Sequence, residues 1–417
     1  MIEKIKIAVY KLLKKSEKWT KTDMIYLAKG GFWLTLGQGV SSVSSFLLAI
    51  AFANLLPKET YGTYKYIMSI VSLLAIPTLA GMNTAIIQAV ARGYEGSVMP
   101  AFKTKVKWGL LGGLASLILT GYYYFQGNNT LAISFLITAV FVPFMDSLLI
   151  YDSYLNGKKN FKALSNYTII TRIVSMIVMV GAIFLTKNIF LIIASYFTIN
   201  TLLRIIFFKI TFLKNKLNTE NDPETISYGK HLSLMNIIGS VAMQIDKILV
   251  FHYLGSIDVA IYSIAIAPID QIKPVFKNIQ FLLLPKFASK NINSIKNNLT
   301  QKILKSSIIL IFIVVLYILA SPFLFKHIFP QYPESIFYTQ LYSISLLTVF
   351  MVIPISVLRA HNKKNELYKF NLFAFGLQII IIFISVKFFG LIGVIIGRII
   401  SKFLHFVFSI YFTKNIN

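Results

Sequence analysis

The chain has 417 residues, 56% of them apolar, with a mean hydropathy of +0.71, only 13% charged residues and a formal net charge of +26. A soluble chain carries about 25% charged residues, so this composition excludes disorder, a fibre and an ordinary soluble enzyme, and indicates a chain dissolved in lipid. Cysteine is absent and the five histidines are scattered, which leaves no disulfide framework, no thiol nucleophile and no metal-binding constellation.

Residues 1–30 are basic, with eight lysines and no uninterrupted apolar stretch, so they do not read as a secretory signal. Ile5, Val9, Leu12 and Leu13 fit an amphipathic helix lying on an anionic cytoplasmic membrane face; a solvated basic tail fits equally well. Apolar runs of bilayer-crossing length, about 20 residues each, then follow one another. Twelve spans are expected, at 31–54, 62–85, 108–125, 130–155, 163–186, 189–208, 232–254, 259–284, 306–325, 335–358, 370–386 and 390–413. Backbone groups in lipid must bond within their own segment, so the spans are helices.

The loops fix orientation. The N-terminus, 86–107, 156–162, 209–231, 285–305, 359–369 and the C-terminal tail carry 29 Lys and Arg, against four on the opposite side. The basic side is cytoplasmic, and an even span count puts both termini there in a multi-pass cell-membrane protein. The same count divides the charge: most of the excess is topological, and the spans keep eight basic and four acidic residues.

The longest internal polar stretch, 213–231, separates six spans from six. It reads as a cytoplasmic linker between an N-lobe at 31–212 and a C-lobe at 232–417. A shift of 198 residues aligns Gly31 with Gly229, Leu34 with Leu232, Leu36 with Leu234, Ser42 with Ser240, Leu56 with Leu254 and Tyr64 with Tyr262. Both aligned spans start on the cytoplasmic side, so the expected fold is all-α. It has two six-helix lobes related by a pseudo-twofold axis along the membrane normal.

Charges inside a membrane are costly, at roughly 2.5–3.5 kcal/mol each near its centre, so each needs a partner or a wet cavity. Lys65, Arg204 and Asp152 lie near span ends, where snorkelling or capping suffices. Arg172, Asp246, Lys247 and Arg398 lie deeper. Asp270, Lys273 and Lys277 share one helical face, and Arg398, Lys402 and His405 share another. Either these stripes pair with each other or they line a cavity. With more bases than acids, a cationic cavity suited to an anionic ligand such as phosphate is indicated. Thr35, Gln38, Ser42 and Ser45 form a polar face on span one, for close packing or for cavity lining. Pro77, Pro143, Pro268, Pro274 and Pro354 interrupt spans and mark bends.

Gly31–Gly93 contains Leu55, Pro57, Tyr61 and Gly62 in a Leu-x-Pro-x-x-x-Tyr-Gly pattern, then Gly81 and Arg92. The second half shows Gln244-Ile245-Asp246, Leu254-Gly255, Ala260-Ile261-Tyr262-Ser263 and Leu284-Pro285. With the span count and linker position, this pattern resembles the Wzx-type polysaccharide flippases of the multidrug/oligosaccharidyl-lipid/polysaccharide exporter superfamily. Asn83 and Thr84, after Gly81, are more polar than that resemblance leads one to expect.

The resemblance implies a flippase and not an enzyme. It would move a polyprenyl-pyrophosphate-linked oligosaccharide from the cytoplasmic to the outer leaflet by alternating access. Its partners would be that lipid-linked oligosaccharide, membrane lipid and a coupling ion, H+ or Na+. The pyrophosphate would meet Arg172, Lys247, Lys273, Lys277, Arg398 and Lys402; the sugars would meet Gln38, Gln244 and Tyr262. Asp246 and Asp270 would couple an ion or form ion pairs. No cofactor, metal or nucleic acid is implied. A cation-coupled drug or metabolite antiporter of the same superfamily would call for an acidic cavity. A membrane glycan polymerase would call for paired carboxylates in a sizeable loop, which the sequence lacks; it also lacks a P-loop.

Overall fold

The computed structural model describes residues 24–277, 292–361 and 363–415, and the described residues are helical throughout, with no strand among them. The basic N-terminal segment before residue 24 lies outside them. Helix α1 is Met24–Leu55. Pro57 then starts α2, Lys58–Leu74, which suits a residue with no N–H to give.

Sequence leads one to expect a single span at 62–85. Instead α2 ends before a short 3-10 turn at Ile76–Thr78 that contains Pro77, and Leu79 adopts a left-handed φ of 59°. Helix α3, Gly81–Ala91, continues at a 41° bend. Proline removes a donor and its ring clashes with the preceding turn, so the span breaks there.

Helix α4, Val98–Phe125, begins ten residues before the expected start at 108. Lys103, Lys105 and Lys107, read as loop charges, are therefore helical. The expected span 130–155 matches one candidate span, Asn129–Gly157, made of α5, Asn129–Met145, with Pro143 inside its last turn, a 3-10 turn at Ser147–Leu149, and α6, Ile150–Gly157. Helices α7, Phe161–Leu185, and α8, Ile189–Lys214, follow. The side chains of Asn128, Asn160 and Asn188 accept from Leu131, Ala163 and Phe190 N–H groups, so α5, α7 and α8 share the same N-terminal device.

Helix α9, Thr225–Leu254, ends at Gly255, whose φ of 95° favours glycine, and α10 is Ser256–Lys277. Helix α11 is Ile292–Ile328. The expected span 335–358 is built of three pieces: α12, Ser335–Ser343, an eight-residue 3-10 stretch at Ile344–Met351, and α13, Val352–Ala360. The last helical run, α14, is Lys364–Lys414, and it reverses at Gly390, where φ is 56°. Its two arms lie side by side: a Cβ on Gly393 would sit 2.3 Å from the Ser385 carbonyl oxygen, and His405 Nε2 lies 2.9 Å from the Ala374 carbonyl.

Eight described helices, with α14 counted once, are long and apolar enough to cross a membrane, or nine with the bent α2–α3 pair. The chain is a multi-pass membrane protein. Association of such helices rests on close packing rather than on burial from water. One large cluster joins the first and second halves of the chain, with Phe52, Tyr61, Tyr262, Phe325, Tyr332 and Tyr342 among its members. A second cluster draws on α3, α4, α6 and α8, including Met82, Val90, Val98 and Tyr154.

Among the described glycines, Gly62 marks the tightest approach, of α2 on α10. A Cβ on Gly62 would fall 1.7 Å from the Ser256 carbonyl oxygen, so only glycine fits. At the opposite end Gly81 lies against Leu232 and Ser233 of α9, and its N–H donates to Ser233 Oγ at 3.0 Å. The sequence-aligned glycines Gly31 and Gly229 differ in role: Gly229 packs on Met82, while Gly31 faces open space.

Candidate functional site

Asp246 sits on α9, eight residues before its end, with no exposed surface. Its Oδ2 accepts from the Tyr262 hydroxyl of α10 at 2.5 Å and forms an ion pair with Arg398 of α14. Arg398 Nη1 also donates to the Tyr262 oxygen at 2.8 Å. Its Nη2 lies 3.9 Å from Asp270 Oδ2, and its guanidinium carbon lies 5.8 Å from the centre of the Tyr342 ring. Tyr342 of α12 donates to Asp270 Oδ1 at 3.1 Å.

Four helical elements thus meet on one arginine. Burial would penalise each charge alone; the pairing and the two phenols offset that cost. Asp246, Asp270 and Arg398 together carry one net negative charge. Arg398 is therefore committed to carboxylates, where the sequence suggested a cation open to substrate. Tyr262, expected to face sugars, has no exposed surface and belongs to the same network.

Lys247 follows Asp246 and points elsewhere. Its ammonium donates to Gln244 at 3.4 Å, which occupies the amide expected to meet sugar. It is close enough to Lys65 of α2 for the two charges to repel, and it is attracted by Asp270. Lys65 lies over the Tyr61 ring at 5.3 Å. It faces inward toward α9, where the sequence suggested a residue that snorkels outward. Neither lysine forms an ion pair among the described residues.

The remaining expected residues do not converge on this point. Lys402 lines a cavity of about 500 Å³ whose wall also includes Asp270 of the network. Arg172 is exposed on α7, beside Ile173 and Met176, which line a groove of about 840 Å³ along α1. Gln38 is exposed and donates to Ser42 on its own helix at 3.4 Å. Lys273 and Lys277 are in α10, but their side chains lie outside the described residues. Arg204 donates to the Met145 carbonyl, at the break between α5 and α6.

Another charged group lies in the first half. Lys105 has no exposed surface; its ammonium donates to Asn83 Oδ1 at 2.8 Å and to Asp146 Oδ2 at 3.3 Å. Thr78 donates to the same Asp146 oxygen at 2.9 Å. The group bridges α3, α4 and the broken ends of α2 and α5. Sequence reasoning misses this group; Asn83, more polar than the resemblance leads one to expect, is the one signal that could have found it.

The polar stretch after α8 docks on the turn between α3 and α4. Arg92 pairs with Asp222 at 2.6 Å, Ser97 donates to Asn221 at 2.8 Å, and the Gly96 N–H donates to the Glu220 carbonyl at 2.8 Å. Beside it, Lys158 pairs with Glu95 at 2.6 Å. The Lys158 amine is raised above its ordinary value by its hydrogen bond to Glu95. Asp222 is held below the usual carboxylate range by the Glu224 backbone N–H first, with Thr225 and Arg92 adding to it.

The profile of a polysaccharide biosynthesis protein family matches residues 27–279. No curated protein sequence matches the chain. Among solved structures, the lipid II flippase MurJ in an inward closed conformation superposes with a TM-score of 0.72 at 15% identity, over 90% of this chain and 86% of that one. An inward-facing multidrug resistance MATE family transporter of the MOP superfamily gives 0.64 at 13% identity, over 90% and 94%. A MOP superfamily transporter from Pyrococcus furiosus, described by a reversed polarity of its binding pocket, gives 0.59 at 14% identity, over 93% and 97%. The chain has the fold of these transporters.

Proposed function

The chain belongs to the polysaccharide biosynthesis protein family, and on that premise we propose that it is a flippase. Its substrate would be an oligosaccharide on a polyprenyl pyrophosphate, turned from the cytoplasmic to the outer leaflet of the cell membrane. Nine candidate spans, joined by α4, α10 and the second arm of α14, make twelve. These form two six-helix lobes, at 31–212 and 232–417, with both termini and the 213–231 linker cytoplasmic.

The observation that carries the reading is the facing of Lys65 and Lys247. One ammonium comes from each proposed lobe, they repel one another, and no carboxylate pairs with either among the described residues. An anionic headgroup arriving between them would relieve that repulsion and gain two charge-assisted contacts. Arg172, and Lys273 and Lys277 at the end of α10, would extend the cationic path toward the cytoplasm. The prenyl tail would remain in lipid between the lobes, and alternating access would come from rocking of the lobes around the headgroup. Asp246 and Asp270, already bonded to Arg398, would hold the C-lobe wall or link an H+ or Na+ to the motion.

The test is flipping in proteoliposomes loaded with a polyprenyl-pyrophosphate oligosaccharide and probed by a membrane-impermeant glycosidase. Lys65→Gln/Lys247→Gln should cut the flipping rate roughly tenfold or more, the scale of a lost charge-assisted contact. Wild-type flipping by the correctly inserted double variant would reject the cationic site. No flipping by the wild type of any such lipid would reject the flippase reading itself.

A further inference from the structure

At the Gly62–Ser256 end of the molecule, opposite the Gly81–Ser233 contact, the two halves of the chain close on each other. Asn54, near the end of α1, donates to the Ile328 carbonyl at 2.9 Å, and Gln331 donates to the Asn54 carbonyl at 3.0 Å. The ring of Phe46 meets Phe329 edge-on, with centroids 6.0 Å apart. Lys58 of α2 pairs with Glu334 at 3.1 Å, but the two side chains are 26% and 51% exposed, and an exposed ion pair contributes little.

Two tyrosines lie beneath these contacts, one from each half. Tyr61 of α2 and Tyr332, between α11 and α12, have no exposed surface. The Lys58 ammonium sits over the Tyr332 ring at 5.2 Å, and the Lys65 ammonium sits over the Tyr61 ring at 5.3 Å. Burial, the neighbouring Tyr61 and Glu334, in that order, push the Tyr332 phenol well above its ordinary value. The two phenols are therefore neighbours across the halves. Neither hydroxyl has a hydrogen-bond partner among the described residues, and neither oxygen has surface open to water.

Four other buried tyrosines show what these two lack. Tyr66 bonds to Tyr123 at 2.6 Å, Tyr317 to Thr339 at 2.6 Å, Tyr262 to Asp246 at 2.5 Å and Tyr342 to Asp270 at 3.1 Å. A buried hydroxyl without a partner has given up its bonds to water and gained none in return. Phenylalanine would fill nearly the same space without that penalty. Each such hydroxyl weighs roughly tenfold against the closed arrangement, relative to one in which it meets water. Tyr61 also belongs to the Leu-x-Pro-x-x-x-Tyr-Gly pattern. Within that pattern Gly62 lets α2 approach α10, while the residue before it opposes closure.

We propose that Tyr61 and Tyr332 are a built-in opening bias at this end of the molecule: closing it buries two unpaired hydroxyls, and parting the halves returns both to water. They are positioning residues, setting how often this end opens against a weak ion pair and a few hydrogen bonds. The proposal rests on the alternating-access reading above and not on which lipid is carried.

The experiment uses the full chain in nanodiscs. Ala53 is fully buried and lies seven residues, about two helical turns, after Phe46 on the same face of α1. The chain has no cysteine, so Ala53→Cys supplies its single thiol. The rate at which a hydrophilic maleimide labels that thiol reads how often the end parts. In this background Tyr61→Phe/Tyr332→Phe should slow labelling roughly tenfold or more, and either single variant should give part of the effect. Tyr317→Phe, which removes a bonded hydroxyl from the same cluster, should not slow it. Unchanged or faster labelling in the double variant would overturn the proposal, as would equal slowing by Tyr317→Phe. A thiol that never labels while both tyrosines are present would also overturn it, because the end then does not open. Flipping by the same preparations keeps the two readings apart. A chain that flips lipid with unchanged labelling rejects the opening bias alone. Slowed labelling in a chain that flips no lipid-linked oligosaccharide supports the bias and rejects the flippase reading.

Discussion

Lys105 ends on Asp146: its ammonium lies 3.3 Å from Oδ2, inside a helix contact that leaves the lysine no exposed surface. The pair holds the start of α4 to the end of α5, beside the break in span two. Lys105→Met would leave Asp146, whose side chain is 28% exposed, with Thr78 as its described side-chain partner. A loss of about 1 kcal/mol is expected, because the half-buried carboxylate can take up water in place of the ammonium. Lys105→Met with Asp146→Leu should recover much of it. A double-mutant cycle on thermal unfolding in detergent measures the difference, and additive losses would deny the coupling.

Arg398→Gln should behave in the same sense but more severely, since Asp246 is wholly buried and Asp270 loses its neighbour too. About 3–5 kcal/mol is expected for the single change. Arg398→Gln/Asp246→Asn should unfold at a higher temperature than Arg398→Gln alone. If the single variant unfolds like the wild type, the network has no structural weight.

Gly62→Ala tests the α2–α10 approach. The new methyl would meet the Ser256 carbonyl oxygen at 1.7 Å, so the two helices must separate. The Asn54 and Gln331 contact, where Gln331 donates to the Asn54 carbonyl at 3.0 Å, should open with them. Cysteine cross-linking between positions 54 and 331 should fall several-fold in the variant. Unchanged cross-linking would mean the contact forms without the close approach.

The dock of residues 218–222 has a defined pH range. Asp222 is depressed below its ordinary 3.8 in the folded chain. Its contribution is therefore complete above that value and is lost as pH falls through the lower folded value. Lys158 is raised above 10.5, so its contribution is complete below that value and is lost as pH rises through the higher folded one. Hydrogen-exchange protection of residues 218–225, taken relative to the unfolded chain at each pH, should be high and flat between these limits. A step near neutral pH would contradict both assignments.

Much of the helix count and the membrane setting is legible in the sequence, because lipid admits few backbone solutions and long apolar runs leave little choice. Gly390 reverses the chain between arms already legible as separate runs. The breaks at Pro77 and at 146–149 were marked by prolines, though not their consequence. Lys105 sits in a charged stretch that reads as loop, while the fold buries it against partners 22 and 41 residues away. Arg398, Asp246 and Asp270 are legible as interior charges from their depth in apolar runs. Which of them met, and which faced a cavity, depended on helix rotation, and a residue pattern alone does not set rotation between separate helices.

The docked stretch 218–222 has a mechanical meaning. Because it is bonded to the turn at 92–97, most of the tether between the halves is stitched to the first half and cannot lengthen. The free joint shrinks to the few residues around Pro223, beside the Gly81–Ser233 contact that pins the same corner. A body fixed at one corner can swivel but cannot slide. Displacement would then grow with distance from that corner and be greatest at the far end, where Lys58 meets Glu334 and Asn54 donates to the Ile328 carbonyl.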